Sequence, residues 1–86
     1  MTATTAEIEA TILTLLDEAG PGRSVSPTDA ARALTGGNEW HVLMPAVRRA
    51  AVKLAQAGRL VITRKGKPAD PADFKGVYRL ALPRQD

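Results

Sequence analysis

Two groups of basic side chains in the second half of the chain have the types and spacing to bind phosphate. The first group falls on one apolar, helix-like segment, and the second follows in a strand and turn: Arg48, Arg49 and Lys53, then Arg64, Lys65, Lys67 and Lys75. A guanidinium group pairs bidentately with guanine or phosphate, and an ammonium group contacts phosphate oxygens. Together they indicate binding of a polyanion. The alternative is a solvated helix face and a charged turn that protects a sheet edge.

The formal charge is distributed unevenly along the chain. Residues 1–40 carry −4 and residues 41–86 carry +7, which gives the net charge of +3. This asymmetry favours a basic face for a polyanion. Asp70 and Asp73 lie within the basic half and would repel a nucleic acid if they pointed towards it.

The composition gives little support to an enzyme. The chain has no cysteine, and His41 is its one histidine, so neither a thiolate nor a histidine metal cluster can form within one chain. A nucleophilic dyad would need Ser24 or Ser26 to approach His41, and Ser26 is better explained as a helix cap. We therefore expect a non-enzymatic protein without a metal or a cofactor.

The sequence also predicts a cytoplasmic protein that does not span a membrane. The first 22 residues contain no Lys or Arg to form the basic region of a signal peptide. The apolar run that ends at Leu16 is interrupted at once by Asp17 and Glu18, well short of the roughly 18 residues that a membrane helix needs.

The first two helices have recognisable beginnings and ends. Thr4 with Glu7 fits a capping box, which predicts a helix over about 5–19 that ends at the glycine-rich segment 20–22. Ser26 has the chemistry of an N-cap, with Pro27 at the first helical position, and predicts a second helix over about 27–35 before two glycines.

The third helix is predicted over about 39–57, with Asn38 as its cap. Its inward stripe has a four-three-four-three spacing and comprises Trp40, Met44, Val47, Ala51 and Leu54. Trp40 is therefore assigned to the core. Pro45 removes one helical hydrogen bond, so we expect a kink, or a first turn of separate geometry ahead of a main helix from about 44. The outward positions are His41, Pro45, Arg48, Arg49, Val52, Lys53 and Gln56.

The remaining chain predicts a hairpin. Strands are expected over about 59–64 and 76–82, joined by a loop over 65–75 that contains two prolines. Tyr78 is expected to be partly buried, with its hydroxyl reaching solvent. Three helices followed by a two-stranded antiparallel hairpin predict one α+β domain over 1–86, a winged helix-turn-helix with the hairpin as its wing.

Four segments of the chain resemble a family of small bacterial proteins known only as a domain of unknown function. They are SPTDAARAL (26–34), W..LMPAVRRAA..LA..G (40–58), ITRKGKPADP (62–71) and G.YRL near the end. The resemblance covers nearly the whole chain and implies a winged-helix fold. It implies no activity. His41 stands where the family often has arginine, and Val77 where it often has proline.

These observations predict a winged helix that binds double-stranded DNA. Helix 3 would enter the major groove and the wing would meet the adjacent backbone, with candidate contacts from His41, Arg48, Arg49, Lys53, Arg64, Lys65, Lys67 and Lys75. With three aromatic residues the chain lacks a stacking platform for single strands or RNA. The alternative is a protein-interaction module on the same scaffold. Leu13 and Val52 are possible dimer contacts, and the oligomeric state stays open.

Overall fold

A computed structural model describes residues 4–37 and 39–83. The fold is α+β, with three α-helices and a four-stranded antiparallel sheet in this part of the chain. In chain order the elements are α1 (Thr5–Ala19), β1 (Ser24–Val25), α2 (Pro27–Thr35), a 3₁₀ turn (Trp40–Leu43), α3 (Met44–Gln56), β2 (Val61–Arg64), β3 (Lys67–Pro68) and β4 (Arg79–Ala81).

Local capping explains where α1 and α2 begin. The Oγ1 atom of Thr4 accepts a hydrogen bond from the Glu7 amide at 3.1 Å. Ser26 and Asp29 form a full capping box: the Asp29 amide donates to Ser26 Oγ at 3.1 Å, and the Ser26 amide donates to Asp29 Oδ2 at 3.2 Å. The capping role predicted for Ser26 is confirmed, and both helices have the predicted bounds.

The proline in the third helical segment separates two geometries. Residues Trp40–Leu43 form a 3₁₀ turn, and α3 begins at Met44 with Pro45 in its first turn, where a missing N–H costs little. The expected separate first turn is confirmed. Trp40 is only half-buried and packs against the edge of the core, with the Arg32 guanidinium 5.3 Å from its ring centroid. Asn38, the predicted cap, lies outside the described residues.

The sheet has the order β1-β4-β2-β3, and every pair is antiparallel. The predicted pairing of the two longer strands is confirmed, with Ile62 opposite Leu80. The expectation of a two-stranded wing is wrong, because two further strands of two residues each extend the sheet. Residues 24–25, which lie between the first two predicted helices, pair with β4, and residues 67–68, expected as loop, pair with β2.

The chain turns from β2 into β3 through a two-residue turn that the residue types do not predict. Lys65 and Gly66 both have positive φ, 52° and 80°, as in the tight turns that match the twist of a hairpin. Asn or Asp usually takes the first of these positions, so a lysine gives no signal. Pro68 is tolerated in β3 because this is the edge strand of the sheet.

The core lies between the sheet and the helices. The inward residues of α1 are Ile8, Ile12 and Leu16, and they are almost fully buried. Phe74 and Tyr78, from the loop between β3 and β4, close the core with their rings edge to face, 4.9 Å apart between centroids. In the described ranges 4–37 and 39–83, every helix is too short or too polar to cross a membrane.

The capping box of α2 gives a stability prediction. Replacing Ser26 by Ala removes the side-chain oxygen that accepts from the Asp29 amide and leaves that amide only the Ser26 carbonyl, so the free energy of unfolding should fall by about 1 kcal/mol. Urea unfolding followed by circular dichroism measures this change. Ser26→Asn, which keeps a capping oxygen, is the control and should retain nearly all of the stability. Equal losses in the two variants would contradict the capping role.

Candidate nucleic-acid interface

The outer face of α3 carries a continuous exposed stripe. Its residues recur at spacings of three and four, which places them on one side of a helix, and all five are exposed: Val42, Pro45, Arg49, Lys53 and Gln56. The opposite side holds Val47, Ala51 and Leu54, which are buried against α1 and α2. We call the five exposed residues the outward stripe. It begins apolar and becomes basic one turn into α3.

Arg48 does not belong to the outward stripe. It is turned about 100° from Arg49, as the helical repeat requires, and its side chain lies over the loop between β3 and β4. Its Nη2 atom donates a hydrogen bond to the Phe74 carbonyl, and its guanidinium carbon lies 3.9 Å from the Phe74 ring centroid and 5.8 Å from that of Tyr78. Arg48 is half-buried. It fastens this loop, residues 69–78, to α3.

Tyr78 lies under the same guanidinium. The residue is 7% exposed, and its hydroxyl oxygen is buried without a hydrogen-bond partner in the part of the chain that the structure describes. The expectation that this hydroxyl reaches solvent is wrong, because the residue precedes β4 and its ring packs inward on Phe74. Burial raises the pKa of Tyr78 above its ordinary value of 10.0, and the Arg48 charge opposes that rise.

Arg64 makes a second tie to the 69–78 loop. Its Nε atom donates to the Val77 carbonyl at 3.3 Å. Its guanidinium also lies against Gly76, where an added Cβ would come within 3.1 Å of Nη2. Gly76 has a φ of 83°, so glycine serves here for its backbone conformation as well as for the close approach. Arg64, predicted as a nucleic-acid contact, is half-buried and holds the loop to β2.

Carboxylates of the loop shape its turn. The Ala72 amide donates to Asp70 Oδ1 at 2.9 Å, and the Asp73 amide donates to the Asp70 carbonyl at 3.0 Å. This is the local pattern by which an aspartate replaces a backbone acceptor in a turn. Asp70 therefore has a structural use, while Asp73 is an exposed negative charge in the same loop as Lys75.

The remaining predicted contacts are exposed. Lys65 lies at the tip of the β2–β3 hairpin, Lys67 is the first residue of β3, and Lys75 projects from the 69–78 loop. His41 is exposed in the 3₁₀ turn, with its ring edge-on to Trp40 at 5.9 Å between centroids. We call Lys65, Lys67 and Lys75 the wing lysines. The ties of Arg48 and Arg64 connect α3, the 69–78 loop and β2, the strand that leads to Lys65.

Sequence reasoning missed two features of this surface. Arg79 is exposed and donates from Nε to Ser24 Oγ at 2.6 Å and from Nη2 to the Ser24 carbonyl at 3.1 Å, which ties β1 to β4. Side chains alternate between the two faces of a strand, so the apolar Leu80 beside Arg79 could have predicted that Arg79 lies on the exposed face. Val42 and Val77 are also unusually exposed, at 65% and 87%. Among residues 4–37 and 39–83, no group of three or more acidic or histidine side chains is arranged to hold a metal ion.

The tie made by Arg48 predicts a contrast between adjacent arginines. Arg48→Ala removes a charged hydrogen bond and a cation–π contact, so the free energy of unfolding should fall by about 1–2 kcal/mol. Arg49→Ala, on the exposed stripe, should change it by less than about 0.5 kcal/mol. Urea unfolding of the two variants measures both values. Equal effects would show that Arg48 does not fasten the loop.

The buried hydroxyl of Tyr78 predicts its titration. Because the folded pKa is raised, the stability that this phenol contributes is fully present below pH 10.0 and is lost as the pH rises through the folded pKa. Ultraviolet titration of the phenolate is unambiguous, because the chain has one tyrosine. The folded protein should titrate at higher pH than the same protein in urea. Coincident curves would mean that the hydroxyl is hydrated.

The comparisons with known proteins agree with the sequence resemblance. No curated protein matches the chain. The family described as "Protein of unknown function (DUF3253)" matches residues 5–83, which is nearly the whole chain. The resemblance to a domain of unknown function is thereby confirmed, and the chain belongs to the DUF3253 family.

Proposed function

We propose that this protein is a winged helix that binds double-stranded DNA through α3 and the hairpin. The element order supports the winged-helix assignment: a helix, a short strand, two helices joined by a turn, and two longer strands that pair. In this arrangement β1 pairs with β4 on the side opposite to β2. The helix after the turn is the one that enters the major groove in helix-turn-helix proteins.

The contact between Arg48 and Phe74 is the observation that carries the proposal. It holds the 69–78 loop against the flank of α3, next to the outward stripe. Arg64 in turn holds the same loop to the hairpin. A basic helix and a basic wing are therefore connected through side-chain contacts with the same loop, which supports a proposal that one duplex contacts both.

The roles of the basic residues follow from their exposure. Arg49 and Lys53 would face the groove, with Arg49 able to pair with guanine or phosphate and Lys53 with phosphate. The wing lysines would contact phosphate oxygens without reading bases. Arg48 and Arg64 position this surface, since their guanidinium groups already donate to carbonyls of the loop. His41 lies at the start of the surface.

The number of exposed cations sets the expected strength of binding. Arg49, Lys53 and the three wing lysines allow about five phosphate contacts, and each contributes about −0.9 to the slope of log K against log salt concentration. A slope near −4 to −5 is therefore expected for one chain. Such binding is weak at physiological salt, with dissociation constants on the order of 10⁻⁴–10⁻⁶ M in the absence of base readout.

The alternative is a protein-interaction module on the same scaffold. Val42 and Val77 are the observation on its side, because both are large exposed apolar side chains and contiguous patches of such side chains mark protein interfaces. They are separate single residues, whereas the exposed cations of α3 and the wing recur along connected elements. The basic surface therefore favours DNA over an apolar partner.

Fluorescence anisotropy with a labelled mixed-sequence duplex tests the proposal. The wild-type protein should bind with an affinity that falls steeply with salt. Arg49→Ala/Lys53→Ala should weaken binding at low salt by about tenfold or more and make the salt slope shallower by about two. Circular dichroism should show the fold retained, because both side chains are exposed.

A charge-matched control separates a specific surface from net charge. Arg23→Ala/Arg59→Ala removes the same two positive charges from exposed positions outside α3 and the hairpin. This variant should bind nearly as well as the wild type. Equal losses in the two double variants would reject α3 as the contact surface. If the wild type does not bind at low salt, the DNA proposal fails and a protein partner should be sought.

A further inference from the structure

The side chain of Val42 is apolar but is not packed into the core. It is 65% exposed in the 3₁₀ turn that leads into α3. Its neighbours in that turn, Trp40 and Leu43, pack against the core. Pro45, one turn later, is also exposed. An apolar pair therefore occupies the first part of the outward stripe, and both of its side chains are exposed to solvent.

Val42 and Pro45 lie on the same side of the helical segment as the basic residues of the outward stripe. Val42, Pro45 and Arg49 follow one another at helical spacing on the same side of the element. From Val42 to Gln56 the stripe is about 20 Å long at 1.5 Å per residue, and none of its five residues is acidic. A partner that covers it must accept apolar contact at one end and positive charge along the rest.

The major groove of DNA offers that combination. The 5-methyl group of thymine is the apolar group on its floor, and phosphates line its edges. In helix-turn-helix proteins the N-terminal residues of the recognition helix contact base edges. We infer, resting on the proposed function, that Val42, with Pro45 beside it, contacts thymine methyl groups and gives this protein a preference for thymine in its site.

The charge of the stripe argues for DNA over an apolar protein surface. Two exposed residues form a small apolar contact, whereas stable protein interfaces bury about 800 Å² on each partner. Arg49 and Lys53 would remain uncompensated against an apolar partner. Against a duplex Arg49 and Lys53 face phosphate while Val42 reaches the groove floor, so both the charged and the apolar residues of the stripe have a complementary group.

Removing the thymine methyl group tests the inference directly. The probes are two labelled alternating A·T duplexes of equal length, one with thymine and one with uracil in its place, measured by anisotropy at low salt. Wild type should bind the thymine duplex about threefold to fivefold more tightly for each methyl group that is contacted. Val42→Ser should bind the two duplexes equally, and its affinity for the uracil duplex should match that of wild type.

Val77→Ser is the matched control. It makes the same chemical change at the other highly exposed valine, which lies in the 69–78 loop and off the helix stripe. The methyl group lies in the major groove, where α3 would bind, so Val77→Ser should keep the preference for thymine. Neither variant should unfold the protein, and circular dichroism checks this.

The outcomes separate this inference from the proposed function. If wild type binds neither duplex, the DNA proposal itself is overturned, and the inference with it. If wild type binds both duplexes with equal affinity, DNA binding stands and the thymine contact is overturned. A preference for thymine that Val42→Ser retains, or that Val77→Ser loses, also overturns the assignment to Val42.

Discussion

The contact between Arg48 and the 69–78 loop determines how the second half of this protein is arranged. The loop has no strand or helix of its own, so its position depends on what its backbone and its two aromatic rings contact. One guanidinium group donates to the Phe74 carbonyl and lies over the Phe74 ring, with Tyr78 beyond it. The contact covers the end of the core and leads the chain into β4 at the register that buries Leu80. A charge can be half-buried here because a carbonyl and aromatic faces compensate it.

The same kind of contact recurs in the sheet, where arginine side chains hold neighbouring segments together. Arg48, Arg64 and Arg79 each donate to a backbone carbonyl of another segment, a role that suits a planar group with several fixed donors. Lys53 and the wing lysines remain exposed. A flexible, strongly hydrated ammonium group gains little from such ties and is suited to contacts that form and break in solvent. Arg49 is the arginine of α3 that lies free of the loop, on the outward stripe.

The structural use of Arg48, Arg64 and Arg79 changes the interpretation of the positive charge on residues 41–86. This charge favours a polyanion when it is counted along the sequence, but part of it is used to hold the protein together. On α3, β3, the turn between β2 and β3 and the 69–78 loop, the exposed positive charges that make no such tie are Arg49, Lys53 and the wing lysines. Val42, in the 3₁₀ turn, and Pro45, in the first turn of α3, precede Arg49 on the outward stripe and add exposed apolar groups to its positive charge.

The sequence by itself determined the features that depend on neighbouring residues. The caps at Thr4 and Ser26, the break at Pro45 and the pairing of β2 with β4 rest on local hydrogen bonds, steric limits and apolar periodicity, and all are present. Strands of two residues carry no periodicity, so β1 and β3 were decided by the strands they pair with. The different roles of Arg48 and Arg49 were likewise decided by tertiary structure. The two side chains diverge by about 100° around the helix, and only the packing of Phe74, distant in sequence, determines which of them is exposed.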